Sequence, residues 1–333
     1  MGDRLVRCVF IGGTGRSGSN ILKKVLSQNE NIFSLPFESR FTVDPDGVFS
    51  TFRALTQSVS PFEADLLIDR LSSLLSRLAV KSNKDRLAIM LENIAKKTVY
   101  RSTHVNLRAY KEWELAVHFP EFIEKKEILL KRLQYHQYTG VWPAKSGTEN
   151  TISNAFITTF DRKQLLGYFS DFLNELYSVV LAEHNKNIYL DDNTYNILFS
   201  QEILKILPNA HLIHIVRDPR DVVASLAKQR WAPSNIETAI HFYTATMDQC
   251  INKTKGISED QLTVIKLEEL CYKPSRVLLS LCNKLNLDVT ENMLAIKLNR
   301  ANSGRWMQDI PINMHKKINS ELAYYINQFG YKI

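Results

Sequence analysis

The sequence lacks any hydrophobic run that approaches the roughly 18 residues of a transmembrane helix. Its first residues form one short apolar segment followed by glycines, and they lack the pattern of a signal peptide. The four cysteines, Cys8, Cys250, Cys271 and Cys282, have no metal-ligand spacing and are too few for a disulfide scaffold. We therefore expect a cytoplasmic globular protein with reduced thiols. A lumenal protein separated from its membrane anchor is the alternative.

Acidic residues are in the minority, because 42 Lys and Arg against 35 Asp and Glu leave a net charge of +7. Part of the surplus lies in residues 81–132, which contain 12 basic and 7 acidic side chains. This segment is consistent with a solvated helical surface or with a site for an anionic ligand or acidic substrate. The sequence has no zinc-finger spacing, aromatic-basic ribonucleoprotein motif or basic tail, so we expect no nucleic-acid partner.

Strand-like and helix-like segments alternate near both ends of the chain. Apolar strands are predicted at Arg4–Ile11, Ile32–Leu35, Ile188–Leu190, His211–Val216 and Leu262–Leu267. The alternation predicts an α/β fold with a central parallel sheet flanked by helices. Residues from about 60 to 186 are mainly helical in pattern, apart from a turn-rich stretch at Tyr138–Asn154 that we interpret as a loop. We expect a single domain over residues 1–333, with this block as a helical insertion.

A glycine-rich turn follows the first predicted strand and precedes a helix predicted from about Ser17 to Asn29. Such a turn presents backbone N–H groups to a phosphate. The spacing from Gly13 to Gly18 is that of a Walker A loop, but Ser19 stands where its lysine would be, and the cation is Arg16 inside the loop. Guanidinium groups suit bidentate contacts with phosphate or sulfonate groups. The turn is therefore a candidate anion site.

A second candidate site lies in HLIHIVRDPRDVVASL, where Arg217 directly follows a predicted strand and Ser225 lies on the following helix. Open α/β sheets bind ligands at the carboxyl ends of their strands. Arg217 and Ser225 are therefore candidates for contact with one phosphate. His211 and His214 alternate on one face of the same strand, and we expect both to be structural.

Together these segments resemble the sulfotransferase family. The run Arg16-Ser17-Gly18-Ser19-Asn20 is similar to the loop that binds the 5′-phosphosulfate of 3′-phosphoadenosine-5′-phosphosulfate (PAPS), and Arg217 and Ser225 match the 3′-phosphate motif. The resemblance implies a P-loop-like sulfotransferase fold, PAPS as the donor, a hydroxyl or amine acceptor and no metal. It assigns nucleotide binding to Gly15, Arg16, Ser17, Gly18, Ser19, Asn20, Arg217 and Ser225 and, through the SGRW segment, to Ser303 and Arg305.

The resemblance also implies a general base. Glu38 follows the second predicted strand, where the carboxylate-using branches of the family have a glutamate, and Glu38-Ser39-Arg40 is locally similar to the tyrosylprotein sulfotransferases. In this interpretation Glu38 is the base and Arg16 stabilises the leaving phosphate. Arg40 is expected either to pair with Glu38 or to orient an acidic substrate. His104 is the competing base and a candidate substrate contact.

One position departs from the family pattern. Asp192 stands where some branches have a second catalytic lysine, so either Arg16 acts without it or another cation, such as Lys228 or Arg230, replaces it. IYLDD also looks like a Walker B strand, which keeps a Mg-ATP-dependent P-loop kinase or NTPase as an alternative. A non-catalytic nucleotide-binding protein on the same fold is another. The sequence specifies neither the acceptor (small molecule, sugar, lipid or peptide) nor the oligomeric state.

Overall fold

Five parallel strands form the central sheet of the computed structural model, which describes residues 5–57, 59–98, 110, 113–141, 152–298 and 302–332. The strands lie in the order β2-β5-β1-β6-β7. Their bounds are β1 Arg7–Gly12, β2 Ile32–Ser34, β5 Ile188–Asp191, β6 Ala210–Val216 and β7 Leu262–Lys266. The predicted α/β class with a central parallel sheet is confirmed.

The sequence of the inner strands explains why they lie in the middle of the sheet. All seven residues of β6 are buried, and β1 is buried from Cys8 onward. Strands covered by helices on both faces need apolar residues at nearly every position, as in the run CVFI of β1. The short strand β2 lies at one edge and β7 lies at the other.

Helices connect these strands and pack on the sheet. Helix α1 follows β1 and buries Leu22, Val25 and Leu26, whereas Ile21 is exposed. The segment after β5 begins with a 3-10 turn at Asn196–Phe199 and continues as a helix. The helices of this part of the chain are α1 Ser19–Leu26, α8 Ser200–Ile206, α9 Pro219–Leu226, α10 Ile236–Thr254, α11 Leu267–Tyr272, α12 Pro274–Lys284, α13 Glu291–Ala295, α14 Trp306–Asp309, α15 His315–Glu321 and α16 Ala323–Gln328, with a second 3-10 turn at Ile312–Met314.

The chain forms two compact units. One contains residues 1–39, 185–204 and 208–333 and carries the parallel sheet, and the other contains residues 40–184 and 205–207. The second unit is built from α2 Val48–Leu55, α3 Pro61–Ala79, α4 Asn83–Thr98, α5 Leu115–His118, α6 Phe122–Leu133 and α7 Arg162–Glu183, with strands β3 His136–Val141 and β4 Ile152–Ile157.

The stretch Tyr138–Asn154 is not entirely the loop that we predicted. Strands β3 and β4 pair antiparallel, with Tyr138 opposite Ala155 and Thr139 opposite Asn154. The prediction was wrong at both ends of the stretch because Gly, Ser and Thr carry a turn signal in sequence, whereas strand pairing depends on a partner elsewhere in the chain. No helix among the described residues is long and apolar enough to cross a membrane.

Candidate active site

Side chains from distant parts of the sequence meet at the carboxyl edge of the sheet. The glycine-rich loop follows β1, Asp191 ends β5, and Arg217 follows β6 directly. Because β5, β1 and β6 are parallel neighbours, their carboxyl ends lie side by side. The edge is thus where the fold places the sequence-predicted anion sites.

The backbone of the loop enters the left-handed region at three residues. Gly15, Arg16 and Gly18 have φ values of 79°, 58° and 102°, a conformation that costs a non-glycine residue energy. A Cβ atom at Gly13 would lie 2.6 Å from the carbonyl oxygen of Ile215, so only glycine fits there. A glycine-rich turn in this conformation can expose several backbone N–H groups to one anion.

Helix α1 starts directly after this turn. Gly18 is its N-cap and makes no side-chain hydrogen bond to the first turn. The first N–H groups of an α-helix have no partner within the helix, and the helix dipole favours negative charge at this end. The loop and the helix start therefore provide donors for one anionic group without any lysine.

Arg16 connects this loop to the second predicted site. Its Nε donates to Ser225 Oγ at 3.0 Å, and its carbonyl oxygen accepts from Arg217 Nη1 at 3.3 Å. Ser225 lies near the end of α9, and Arg217 lies before the start of that helix. Three predicted nucleotide-binding residues separated by up to 209 positions are thus in direct contact.

Arg217 has capacity for a further partner. Its Nη2 donates to the carbonyl oxygen of Asn302 at 3.3 Å, whereas its Nε is buried and has no hydrogen-bond partner in the described part of the chain. A buried N–H without an acceptor is costly, and an anion bound beside it would remove that cost. The residues present therefore fit a phosphate group.

Asp221 attaches the predicted SGRW segment to α9. Its two carboxylate oxygens accept from the backbone N–H groups of Gly304 and Trp306, both at 2.9 Å. Burial raises the pKa of Asp221, although these two hydrogen bonds oppose the shift. Ser303 is exposed, and Arg305 Nε pairs with Asp309 at 3.1 Å. Sequence reasoning missed Asp221. Nothing in DPRDVV distinguishes a carboxylate that binds a distant segment from an ordinary carboxylate in the first turn of a helix.

The end of β5 carries an unexpected ion pair. Lys23 Nζ lies 2.8 Å from Asp192 Oδ1 and also donates to the carbonyl oxygen of Phe37 at 3.3 Å. Glu38, the predicted base, is half-buried in the next position. Lys228, one candidate for the missing cation, pairs with Asp309 at 2.5 Å. The lysine beside Asp192 is instead Lys23 of α1, one helical turn after Ser19.

Asp191, the last residue of β5, is buried like Asp192. Its Oδ2 accepts from Asn196 Nδ2 at 3.0 Å, and its carboxylate also accepts from the Ser39 hydroxyl. Burial and, secondarily, the neighbouring charge of Asp192 raise the pKa of Asp191. In the described residues, no group of three or more His, Cys, Asp and Glu side chains is arranged to hold a metal ion.

Comparison with known proteins decides the family. A family model described as "Sulfotransferase family" matches residues 8–291, which is most of the chain. The chain belongs to the sulfotransferase family. No curated protein sequence matches it.

Solved structures of sulfotransferases resemble this family member at a distance. A sulfotransferase domain from the curacin biosynthetic pathway has 14% identity and a TM-score of 0.47, over 99% of this chain and 100% of its own. Sulfotransferase STF9 from Mycobacterium avium has 13% identity and a TM-score of 0.48, over 99% of this chain and 78% of its own. A sulfotransferase domain from the Synechococcus PCC 7002 olefin synthase has 14% identity and a TM-score of 0.47, over 99% and 98%.

Arg40, one of the two predicted substrate contacts of this sulfotransferase, falls in the second unit. Arg40 Nη1 lies 3.5 Å from Asp44 Oδ1, and its guanidinium lies 5.7 Å from the ring centroid of Trp113. Asp44 also accepts from Tyr110 Oη at 2.8 Å, and burial together with this carboxylate raises the pKa of Tyr110 to about 12. His104 lies outside the described residues.

Proposed function

We propose that the protein transfers a sulfuryl group from PAPS to a hydroxyl or amine acceptor by in-line displacement. The observation that carries the proposal is the contact of Arg16 with both Ser225 and Arg217. Two anion sites that the sequence separates by about 200 residues thereby become neighbours, as a nucleotide with a 5′-phosphosulfate and a 3′-phosphate requires.

In this proposal each end of the nucleotide has its own donors. The backbone N–H groups of residues 15–20, with the hydroxyls of Ser17 and Ser19, hold the 5′-phosphosulfate. Arg217, with its buried unpartnered Nε, and Ser225 hold the 3′-phosphate. Ser303 and Arg305 are weaker candidates for the same end, because Arg305 is already paired with Asp309.

In this proposal the bound donor, Glu38 and Arg16 each have one role in the transfer. Bound PAPS supplies the sulfuryl group and a phosphate leaving group. Glu38 accepts the proton from the acceptor hydroxyl or amine as the new bond to sulfur forms. The guanidinium of Arg16 stabilises the negative charge that develops on the bridging oxygen as the old bond breaks. The proton thus ends on the Glu38 carboxylate and the electron pair on the phosphate.

The kinase alternative loses its main support. The carboxylate of Asp192, which would bind Mg²⁺ in a Walker B strand, is paired with Lys23 at 2.8 Å. The Walker lysine is absent from the loop as well, since Ser19 occupies its place.

Calorimetric titration tests the nucleotide site. We expect 3′-phosphoadenosine-5′-phosphate to bind about 100-fold more tightly than ADP or Mg-ATP, because ADP and ATP lack the 3′-phosphate that Arg217 receives. Equal affinity for the three nucleotides, or a preference for Mg-ATP, would overturn the assignment of the 3′-phosphate site.

The variant Glu38→Gln tests the base. We expect release of 3′-phosphoadenosine-5′-phosphate from PAPS, measured with a panel of phenol, sugar and amine acceptors, to fall about 1,000-fold while nucleotide affinity is unchanged. Glu30→Gln is the matched control, since Glu30 is an exposed glutamate that precedes the same strand. Wild-type turnover in Glu38→Gln excludes Glu38 as the base, and binding without turnover in the wild-type protein across the panel would favour the non-catalytic alternative.

A further inference from the structure

The base proposed above lies beyond the reach of its own strand. Strand β2 is an edge strand of three residues that ends at Ser34, and its backbone pairing with β5 also ends there. Glu38 follows four residues later, so the hydrogen bonds of the sheet do not hold its peptide. Something else must fix the backbone if its carboxylate is to meet an acceptor in a defined position.

The residues on both sides of Glu38 are attached to the end of β5. The carbonyl oxygen of Phe37 accepts from Lys23 Nζ, which Asp192 holds. The hydroxyl of Ser39 donates to Asp191, and Asp191 is held in turn by Asn196. Ser39 and Asp192 are buried, and the side chain of Lys23 is 14% exposed. The two carboxylates at the end of β5 thus hold both neighbours of Glu38. Asp191 holds Ser39 directly, and Asp192 holds Phe37 through Lys23.

We propose that Lys23, held by Asp192, is a positioning residue that fixes the peptide carrying Glu38. The inference rests on the proposed function, in which Glu38 is the base. It also accounts for the aspartate at position 192. Lys23 reaches the end of β5 from α1, and the carboxylate of Asp192 holds its ammonium group there.

A purely stabilising ion pair would behave differently from a positioning one. Buried ion pairs are often replaced by apolar residues of similar size without loss of stability. Such a replacement does not restore the donor that holds the Phe37 carbonyl oxygen. The double variant Lys23→Met/Asp192→Leu therefore separates the two roles, because it removes the contact without leaving a buried charge unpaired.

Hydrogen exchange of the ligand-free protein, followed by mass spectrometry, measures the position of this peptide without any substrate. We expect amides in residues 35–40 to exchange about tenfold faster in Lys23→Met and in the double variant, because one hydrogen bond from a charged donor is lost. Lys23→Arg is expected to keep most of the protection. Lys24→Met is the matched control, since Lys24 is the exposed neighbour on the same helix.

Wild-type exchange of residues 35–40 in both Lys23→Met and the double variant would overturn the positioning role. If Lys23→Met does not fold, the double variant decides the question. Faster exchange throughout the protein, with a matching fall in melting temperature, would show a structural role instead and would also overturn the proposal.

Kinetics then connect the peptide to turnover. In the double variant we expect kcat with PAPS to fall about 100-fold while KM for PAPS and the affinity for 3′-phosphoadenosine-5′-phosphate stay within about twofold of wild type. Unchanged kcat together with faster exchange would overturn the link between this peptide and the base. Failure of the wild-type protein to bind the nucleotide would overturn the proposed function instead, and the exchange result would still decide whether Lys23 holds the peptide.

Discussion

The two proposed anion sites at the carboxyl edge of the sheet differ in the groups that form them. The loop at residues 13–18 uses backbone N–H groups, and its shape depends on left-handed φ values at Gly15, Arg16 and Gly18. The site after β6 uses side chains, chiefly the guanidinium of Arg217 and the hydroxyl of Ser225. A backbone site is changed by altering conformation, whereas a side-chain site is changed by removing a group. This difference predicts distinct effects on nucleotides that have and lack a 3′-phosphate.

The largest effect on binding is expected for Arg217→Ala. Affinity for 3′-phosphoadenosine-5′-phosphate should fall about 100-fold, because charge-assisted hydrogen bonds to a phosphate are lost. ADP, which lacks the 3′-phosphate, should bind within about twofold of its wild-type affinity. Calorimetry with both nucleotides measures the difference, and Arg276→Ala, at an exposed arginine on α12, is the control. An equal loss for both nucleotides would contradict the assignment of Arg217 to the 3′-phosphate.

A smaller and less selective effect is expected for Gly18→Ala. The new Cβ would lie 2.6 Å from Leu267 Cδ1, at a residue with a φ of 102°. We expect both nucleotides to bind about tenfold more weakly, since strain of about 1–2 kcal/mol distorts the shared loop. Adding Leu267→Ala should relieve the clash and recover part of the affinity. Gly167→Ala is the control, because a Cβ there meets nothing within 4 Å. A loss of affinity confined to 3′-phosphoadenosine-5′-phosphate would contradict the distinction between the backbone site and the side-chain site.

The smallest effect on binding is expected for His214→Leu in β6, which lies three residues before Arg217. Burial lowers the pKa of His214 to about 4 from 6.5, and in the described chain its Nε2 has no hydrogen-bond partner. The unfolded chain therefore binds a proton first as the pH falls below 6.5, so the wild-type protein loses stability toward pH 4.

Denaturant unfolding of the two proteins measures this loss. Between pH 7 and pH 5 the wild-type free energy of unfolding should fall by about 2 kcal/mol more than that of His214→Leu, with unchanged nucleotide affinity at pH 7. His241→Gln, at an exposed histidine, should titrate like the wild-type protein. The same pH dependence in His214→Leu would mean that His214 is not buried in its neutral form.

Much of the site could be predicted because its signals are local in sequence. Gly13 and Gly18 lie between an apolar strand and a helix at the spacing of a phosphate-binding loop, and this pattern can be recognised without any distant partner. Arg217 directly follows an apolar strand, so its place at the sheet edge follows from the strand itself. Strand alternation was sufficient for the parallel sheet, since a βαβ connection leaves few other arrangements.

Other features could not be predicted because their partners are distant. The lysine at position 23 reads as an ordinary surface residue of a predicted helix, yet it meets Asp192, 169 residues later, at 2.8 Å. Asp221 reads as a first-turn carboxylate, yet it holds Gly304 and Trp306. Neither residue has a sequence pattern of its own, so sequence reasoning found neither contact.

The amino-acid sequence by itself determined the α/β class, the glycine turn after β1 and the place of Arg217 directly after an apolar strand, because hydrophobic periodicity acts between near neighbours. The tertiary structure decided which charges meet. It paired Lys23 with Asp192, placed Arg16 against Ser225 and joined β3 to β4. These contacts depend on how α1 packs on the sheet and on which strands become neighbours, and such choices are made by burial summed over the whole chain rather than by any single segment.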